Sequence, residues 1–496
     1  MTLCAIALRV ISMAFSVYVA NVAGAEAVGL HSLLGGIYGF CVTLSLSGIN
    51  LALTRLLSEA MAKEDTQRCS RLIRASLLLA LCFGLFSSLL LTMIAKPLSV
   101  LWLDETRIIK PLRILSLCLP PVAISSVLNG YFAAVRRAYK NSISQLTEMG
   151  LKIAFTLIAF SKLRADIPES ACLALVLGSA FAEFAVFFIN LLIFSFDLRR
   201  HPIERYTPTC RREASDILSV SLPVAFTSYV RSALVSVEHS LIPKGLIKYG
   251  SSGSEALASY GTLSGMALPV INFPYAVIGS FTSLLIPEVA ESRAMGKKRH
   301  IRYIVSRTYQ CCLVFALCVC GAFFAFSEPL GELLYHSSEA STYIRMLSFI
   351  VPVMYIDTST DAILKGLGEQ LYCMTVNIAD ALLSVSLVAL LVPRYGVMGY
   401  IATIYIAEII NAALSIGRLI KVTAFRFDLK KLLLGPLFCA VGAISIYSLA
   451  SYLLPTALSM PRLICGILIF TAIYLSLAVI TGTFSKDDLR WLLSVK

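Results

Sequence analysis

The chain has 496 residues, of which 58% are hydrophobic and only 14% charged, with a mean hydropathy of +0.82 and a formal net charge of +13. Soluble globular proteins carry about 25% charged residues, so this composition excludes an ordinary soluble enzyme. A strongly basic chain would suit nucleic acid, but here the positive charge lies in short loops between apolar segments, which argues against that partner.

Fourteen apolar segments follow one another along the chain, and each is long enough to cross a bilayer as an α-helix, which takes roughly 20 residues. Backbone polar groups in lipid must be paired within their own segment, so we predict an all-α, polytopic membrane protein. The segments lie near 3–24, 30–54, 73–95, 112–134, 144–162, 170–196, 216–242, 256–286, 304–326, 343–364, 371–392, 397–417, 432–454 and 461–482.

The loops between the segments alternate in charge. Every second loop and the C-terminal tail together contain 28 of the 42 Lys and Arg residues. Cytoplasmic loops are enriched in these residues, so we predict that both termini are cytoplasmic. The same basic loops are suited to contact anionic membrane lipids.

The two halves of the chain resemble each other. Residues 113–120 read RILSLCLP and residues 345–352 read RMLSFIVP, an offset of 232 that also places Glu148 on Asp380. This offset maps the fourth segment onto the tenth, so the repeat has six helices and both copies have the same orientation. We predict an N-terminal six-helix lobe over 1–198, a cytoplasmic linker over 199–215, a C-terminal six-helix lobe over 216–421, and two additional transmembrane helices with a cytoplasmic tail over 422–496.

Two such lobes are the architecture of an alternating-access carrier, with a substrate site near the bilayer midplane. We predict a transporter and no enzymatic activity, because no histidine with a nearby nucleophile and no set of metal ligands is visible in or near the segments. A non-transporting scaffold or a lipid-modifying enzyme is the alternative from another class. No nucleotide-binding motif is visible, so we expect no cofactor and coupling to Na⁺, H⁺, the membrane potential or the substrate's own gradient.

Charged residues inside apolar segments are candidates for function, because each costs roughly 2.5–3.5 kcal/mol to place there. Arg9 lies in the first segment and Arg231 in the seventh, with Glu238 two turns later on the same helical face. Arg55 closes the second segment, with Glu59 one turn later. We expect the three arginines to bind an anionic group in a central cavity, while Glu238 holds or releases Arg231. The alternatives are an Arg231–Glu238 ion pair that fixes packing, and an Arg55 that extends to the membrane interface.

Two further sets of charges lie inside segments. Asp357, Asp361 and Lys365 stand at successive turns of the tenth segment. The two aspartates are candidates for binding a coupling cation or proton, and pairing of Asp361 with Lys365 is the alternative. Glu148 and Lys152 are four residues apart in the fifth segment, and we expect them to pair with each other.

The eighth segment contains Pro269 and Pro274. Each proline removes a helical hydrogen bond and clashes with the preceding turn, which kinks a helix. We expect a hinge here that bends during the transport cycle. A static kink that shapes the cavity is the alternative.

Six stretches within the first twelve segments carry a resemblance to a known group. They read LRVISMAFSVYVANVAGAEAVGL (8–30), LSLSGINLALTRLLSEAMAK (44–63), YGTLSGMALPVINFP (260–274), LLIPEVAES (284–292), DAILKGLGEQ (361–370) and LVPRYGVMGY (391–400). In this order they resemble the stage V sporulation protein B-like, polysaccharide biosynthesis branch of the multidrug/oligosaccharidyl-lipid/polysaccharide export superfamily.

The resemblance implies a V-shaped, MATE-like pair of six-helix lobes with two further helices. It implies movement of an undecaprenyl-pyrophosphate-linked saccharide, such as lipid II or another cell-wall polysaccharide precursor, to the outer leaflet of a bacterial plasma membrane. Arg9 and Arg55 match basic positions in the family's first and second helices, and an arginine fork suits a pyrophosphate.

The expected partners are the lipid-linked glycan and membrane lipids, without nucleic acid, and the protein is expected to act as a monomer. A role in sporulation is implied only by the family name. The alternative function is that of a MATE-type, cation-coupled multidrug antiporter, whose cavity emphasises acidic groups.

Overall fold

The computed structural model describes residues 2–137, 139–163, 166–200, 211–425, 430–453, 459–484 and 491. The predicted linker over 199–215 lies largely outside the described residues, at 201–210. So does most of the predicted cytoplasmic tail.

α-Helices form nearly all of this part of the chain, which contains no β-strand, and the predicted all-α class is confirmed. The seventeen α-helices of the described residues are α1 (Thr2–Leu46), α2 (Ile49–Ala62), α3 (Thr66–Pro97), α4 (Ile109–Ala134), α5 (Tyr139–Lys162), α6 (Pro168–Arg200), α7 (Arg211–Tyr249), α8 (Gly253–Gly261), α9 (Leu268–Asn272), α10 (Tyr275–Ala294), α11 (Lys298–Tyr335), α12 (Ser338–Leu347), α13 (Val351–Gly366), α14 (Gln370–Tyr395), α15 (Val397–Thr423), α16 (Gly435–Leu453) and α17 (Met460–Ile480).

Within the described residues, twelve helical runs are long and apolar enough to cross a membrane, or up to thirteen if one bent pair is a span. The protein is therefore a polytopic integral membrane protein, as predicted. The first run, Ala7–Ala62, has 56 residues. At 1.5 Å per residue it would be about 84 Å long, more than twice the roughly 30 Å of a bilayer core. The total of fourteen crossings stays a prediction.

Two breaks interrupt this first run. At Gly24 the backbone has φ 77° and ψ 168°, outside the helical region, and the predicted first segment ends at the same residue. Ser47 and Gly48 have φ values of 47° and 66° and separate α1 from α2. Glycine adopts positive φ without the steric cost that other residues meet, so Gly24 and Gly48 allow the chain to change course at these points.

The first compact unit comprises Met1–Phe15 and Val22–Gly261. Its core includes Leu53 of α2, Leu72 of α3 and Leu128 of α4, all fully buried. In lipid, close packing rather than exclusion of water holds such helices together.

Within this unit α8 crosses α1 at two glycines. A Cβ on Gly29 would lie 2.0 Å from the backbone oxygen of Leu257, and a Cβ on Gly261 would lie 2.0 Å from that of Ala25. No side chain fits at either position, so the two backbones touch directly. Small residues allow this close approach between membrane helices.

The second compact unit comprises Ser16–Asn21 and Thr262–Lys496. Its long helix α11 packs against α12, α13, α16 and α17. Phe326 of α11 contacts Tyr447 of α16 and Phe470 of α17, with ring centroids 4.7 and 6.1 Å away. These aromatic contacts attach the last two described helices to α11.

The compact units divide the chain differently from the sequence repeat. α7 and α8 belong to the first unit, whereas the repeat assigns residues from 216 onward to the second lobe. Ion pairs attach the start of α7 to α3, between Arg71 and Glu213 and between Arg68 and Asp216. The predicted lobe boundaries stay a prediction.

Candidate functional site

The middle of α7 lies beside the break between α1 and α2. The hydroxyl of Tyr229 donates a hydrogen bond to Ser47 Oγ at 2.6 Å, and Thr43 Oγ1 donates to Ser232 Oγ at 3.1 Å. These two hydrogen bonds hold α7 against the end of α1 and fix which face of α7 points toward it.

Arg231 stands between these contacts along α7, yet its side chain is exposed. Glu238 is half-buried and shares a face with Arg231, because seven residues make nearly two turns. At about 100° per residue, this face lies roughly a third of a turn from the face that contacts α1. The structure therefore presents both charges away from the α1 contact.

Arg55 lies on α2, beyond the break. Its Nε donates to Glu59 Oε1 at 3.0 Å, and the two side chains are 67% and 50% exposed. An exposed ion pair contributes about 0–1 kcal/mol, so releasing Arg55 from Glu59 to another anion costs little.

Arg9 lies on the first stretch of α1, before the break at Gly24, and its side chain is exposed. Arg9, Arg55 and Arg231 all belong to the first unit. Arginine side chains carry like charges and only donate hydrogen bonds, so a shared anion would be needed to join them. Convergence of the three arginines on one ligand stays a prediction.

A polar group that sequence reasoning did not assemble lies where α5 and α6 pack together. Ser144 Oγ donates to Asn190 Oδ1 at 2.8 Å. Three turns along, a Cβ on Gly178 would lie 2.1 Å from Thr156 Oγ1. The two pairs of residue numbers have the same sum, so the antiparallel register of α5 and α6 is constant between these contacts.

This register places Glu183 of α6 level with the turn of α5 between Glu148 and Lys152. Glu183 lies within electrostatic range of both. Glu148 and Lys152 interact electrostatically, but their charged groups are farther apart than an ion pair allows. The ion pair expected between them is therefore not formed in this structure. Glu183 was missed, although a single carboxylate inside the apolar segment 170–196 was a visible signal.

Two residues of α1 complete this group. His31 lies within electrostatic range of Lys152, and Tyr38, two turns later, lies within range of Glu148 and Glu183. The Nδ1 atom of His31 and the hydroxyl of Tyr38 are buried, and neither has a hydrogen-bond partner in the part of the chain that the structure describes. These five residues are named the lysine cluster below.

A second group, named the acidic cluster, lies on α13, α14 and α15 of the second unit. It consists of Asp357, Asp361, Asp380 and Glu408. Asp357 and Glu408 each lie within electrostatic range of the other three carboxylates. Asp357 is only 9% exposed and accepts a hydrogen bond from Asn411 Nδ2 at 2.9 Å. The cluster therefore collects carboxylates from three consecutive spans.

Only part of the acidic cluster was predicted. Asp357 and Asp361 were predicted as a cation or proton site, and Asp380 was visible only as the position that the repeat aligns with Glu148. The ion pair between Asp361 and Lys365, the stated alternative, is present at 3.4 Å. Glu408 was missed, although it is a lone carboxylate within the segment 397–417.

The chain bends by 53° between Gly253–Asn272 and Tyr275–Ala294. Pro274 caps the start of α10, Pro269 lies in the five-residue α9, and a π-helical turn at Thr262–Ala267 precedes both. The prolines weaken the hydrogen-bond ladder and the π turn adds a residue to it. The bend lies where the sequence predicted a hinge, and movement at it stays a prediction.

The amino-acid sequence of this chain is similar to those of known proteins. The model of the family described as "Polysaccharide biosynthesis protein" matches residues 1–291. Stage V sporulation protein B of Bacillus subtilis (strain 168) is 23% identical over 488 residues, covering 97% of this chain and 94% of that protein. The resemblance noted from the six sequence stretches is confirmed.

Solved structures share the fold. Lipid II flippase MurJ in an inward closed conformation has a TM-score of 0.75 at 15% identity, covering 96% of this chain and 97% of that one. A MATE family multidrug resistance transporter of the MOP superfamily, in an inward-facing conformation, has a TM-score of 0.62 at 14% identity, covering 86% and 99%. The predicted MATE-like fold is confirmed, and since the family model covers more than half of the sequence, the chain belongs to the polysaccharide biosynthesis protein family.

Proposed function

We propose that this protein is a flippase that moves an undecaprenyl-pyrophosphate-linked saccharide to the outer leaflet of a bacterial plasma membrane by alternating access. Its substrate in this proposal is lipid II or another cell-wall polysaccharide precursor. The observation that carries the proposal is Arg231, an exposed guanidinium in the middle of an apolar helix. Membership of the polysaccharide biosynthesis family and the fold shared with a lipid II flippase support it.

The chemistry of the three arginines supports a pyrophosphate ligand. A guanidinium donates a planar fork of N–H groups that matches two phosphate oxygens, and it stays charged at any physiological pH. Arg231 and Glu238 share a face of α7, so the carboxylate can compete with the pyrophosphate for the guanidinium and release the ligand. Arg55 is held only by the exposed Glu59. Arg9 supplies a third positive charge.

In this proposal the acidic cluster is the binding site for the coupling ion. Asp357 and Asp361 bind Na⁺ or H⁺, whose gradient drives the cycle. The prolines Pro269 and Pro274 act as the hinge. Both termini lie in the cytoplasm and the protein acts as a monomer.

The proposal is tested by reconstituting the purified protein in liposomes with fluorescent undecaprenyl-pyrophosphate saccharides and measuring exchange between leaflets. Arg9→Ala and Arg231→Ala are expected to lose exchange. The matched control is Arg394→Ala, which removes an exposed arginine at the end of α14 and should exchange at the wild-type rate. Full exchange by a folded Arg231→Ala protein would overturn the role of Arg231.

A second candidate, a MATE-type cation-coupled multidrug antiporter, is favoured by the acidic cluster. Carboxylates collected inside a membrane protein suit a cationic drug better than a pyrophosphate. A folded wild type that exchanges no glycan lipid under an imposed potential, but expels a cationic dye against an ion gradient, would establish this second function in place of the first.

A further inference from the structure

We propose that the lysine cluster of the first unit is a proton-binding site, in which Glu148 and Glu183 share one proton beside Lys152. The proposal concerns the first unit only and differs from the cation site proposed for Asp357 and Asp361. Proton binding can be tested on the protein alone. Only the use of the proton to drive transport rests on the proposed function.

The positions of the three charged groups follow from helix packing. The contacts of Ser144 with Asn190 and of Thr156 with Gly178 bracket the group from both ends. Between them Glu183 faces the turn that contains both charged residues of α5. A single helical turn rises about 5.4 Å, so the charged groups of Glu148, Lys152 and Glu183 are close enough to interact electrostatically.

The charges of the cluster do not balance. Two carboxylates and one ammonium leave a net charge of −1, inside spans whose remaining residues are mostly apolar. His31 adds no compensating charge, because a histidine is mostly neutral at pH 7. Tyr38 of α1 and Cys118 of α4 also lie within electrostatic range of Glu183, and both are neutral in their usual protonated forms.

A proton is the ligand that removes this imbalance. An unpaired buried charge is costly in a membrane helix, and neutralisation by a proton is the common way to avoid that cost. One proton shared between the two carboxyls leaves a neutral group, in which the one remaining carboxylate charge balances the ammonium of Lys152. Among the described residues, Glu148, Glu183 and His31 do not form a group of three side chains that could hold a metal ion, and the ammonium of Lys152 would repel a cation placed beside them.

The α1 side of the cluster also suits proton transfer. The Nδ1 atom of His31 and the hydroxyl of Tyr38 are buried polar atoms without a hydrogen-bond partner among the described residues. Most buried polar atoms are paired, so an unpaired atom beside ionisable groups indicates a missing partner. Both side chains can donate to a carboxylate or accept from a carboxylic acid. The side chains of Glu148 and Glu183 remain partly accessible, which permits exchange of the proton.

The test is infrared spectroscopy of the purified protein in lipid vesicles, which detects the C=O stretch of a protonated carboxyl. At neutral pH the wild type should contain one such carboxyl from this cluster. Glu148→Gln and Glu183→Gln should each remove it, because the remaining carboxylate and Lys152 already balance. Lys152→Met should double it. Glu255→Gln removes an exposed carboxylate outside the cluster and should leave the band unchanged.

Folding is checked by gel filtration and circular dichroism before each spectrum. If either single glutamine variant misfolds, Lys152→Met decides, because it should contain two protonated carboxyls where the wild type contains one, and an unchanged band would overturn the proposal. An unchanged band in both folded glutamine variants would overturn the proposal. So would loss of the wild-type band on addition of Na⁺, because it would mean that a metal cation replaces the proton.

A transport measurement separates this inference from the proposed function. If wild-type leaflet exchange responds to a pH gradient, Glu183→Gln should abolish that response. If the wild type exchanges no glycan lipid while the infrared pattern holds, the proposed substrate is wrong and the proton site stands. If exchange proceeds but the infrared pattern fails, the proton site is wrong and the flippase stands.

Discussion

The lysine cluster of the first unit and the acidic cluster of the second lie on helices related by the sequence repeat, but they differ in charge. At the offset of 232, Glu148 corresponds to Asp380 and Lys152 corresponds to Ser384. One turn beyond the shared carboxylate, the first unit has an ammonium and the second has a hydroxyl. The positions that this offset aligns therefore share a carboxylate and differ in the counter-charge one turn later.

The fourth helix of each repeat differs in the opposite sense. Asp357 and Asp361 correspond to Ser125 and Asn129 in the first unit. The acidic cluster therefore gains two carboxylates that the first unit lacks, and Lys365 is the basic residue that pairs with one of them. Helices at corresponding positions of the repeat thus carry a cluster with a net charge near zero in the first unit and a strongly negative cluster in the second. The two clusters are therefore expected to bind different ligands.

The largest expected effect is the difference in stability between replacing Lys152 and replacing Lys365. Lys152→Met should lower the free energy of unfolding by about 3 kcal/mol, the low end of the range for leaving a buried charge uncompensated, because protonation of the carboxyls offsets part of the loss. Lys365→Met should cost less than about 1 kcal/mol, because that side chain is 43% exposed. Unfolding of both purified variants in detergent measures the difference. Equal losses would remove the distinction between the clusters.

The register of α5 and α6 gives the next largest effect. A Cβ on Gly178 would lie 2.1 Å from Thr156 Oγ1 and 2.8 Å from Thr156 N, so Gly178→Ala should push the helices apart and cost about 1–3 kcal/mol. It should also raise the protonated-carboxyl signal toward that of Lys152→Met, because Glu183 moves away from the ammonium that favours its charged form. The control is Gly150→Ala on α5, where nothing lies within 4 Å and the change should be neutral or stabilising by up to about 1 kcal/mol.

Asp357 tests the second unit. Asp357→Asn should raise the concentration of Na⁺ or H⁺ needed for half-maximal leaflet exchange at least about tenfold, since hydrogen bonds to charged groups contribute about 1.5–3 kcal/mol and 1.4 kcal/mol is a factor of ten. The measurement is a titration of exchange in liposomes. Asp104→Asn is the matched control, an exposed aspartate with φ 52° that asparagine tolerates. An unaltered ion response in a folded Asp357→Asn protein would move the coupling site elsewhere.

The smallest effect concerns ion pairs near helix ends in the two units. Arg418 donates through Nε and Nη2 to Glu369 and lies over the ring of Tyr372, with side chains 32% and 21% exposed in the ion pair. Arg418→Gln should lower the free energy of unfolding by about 1 kcal/mol, and Arg55→Gln by less than about half of that, because the Arg55 pair is more exposed. Chemical denaturation distinguishes them, and a larger loss at Arg55 would show that its pair with Glu59 is structurally important.

Much of the fold was predictable because long apolar segments in lipid have few alternatives to the helix. The end of the first segment at residue 24 was visible as a change of composition, and Gly24 is where the helix breaks. The assignment of α7 to the first unit was not predictable from the repeat. It depends on pairs such as Tyr229 with Ser47, whose residues are 182 positions apart.

The candidate site was predictable only as a set of unusual residue types. Arg231 and Asp357 are conspicuous because charge is rare inside apolar segments. Which charges meet depends on helix register, and the position of Glu183 beside Lys152 follows from the contacts of Ser144 and Gly178 rather than from its own sequence neighbourhood. Glu408 was missed for the same reason.

The glycine crossing of α8 over α1 has a consequence for protein engineering. Because Gly29 and Gly261 allow the two backbones to touch, α8 is structurally part of the first unit although it follows the midpoint of the repeat. A chimera joined at the repeat boundary, near residue 198, would exchange α7 and α8 for foreign helices and place new side chains against these glycines. A junction after Gly261 takes both touching backbones from the same parent protein. Junctions in chimeras of this family should therefore be chosen from helix contacts rather than from the boundary of the sequence repeat.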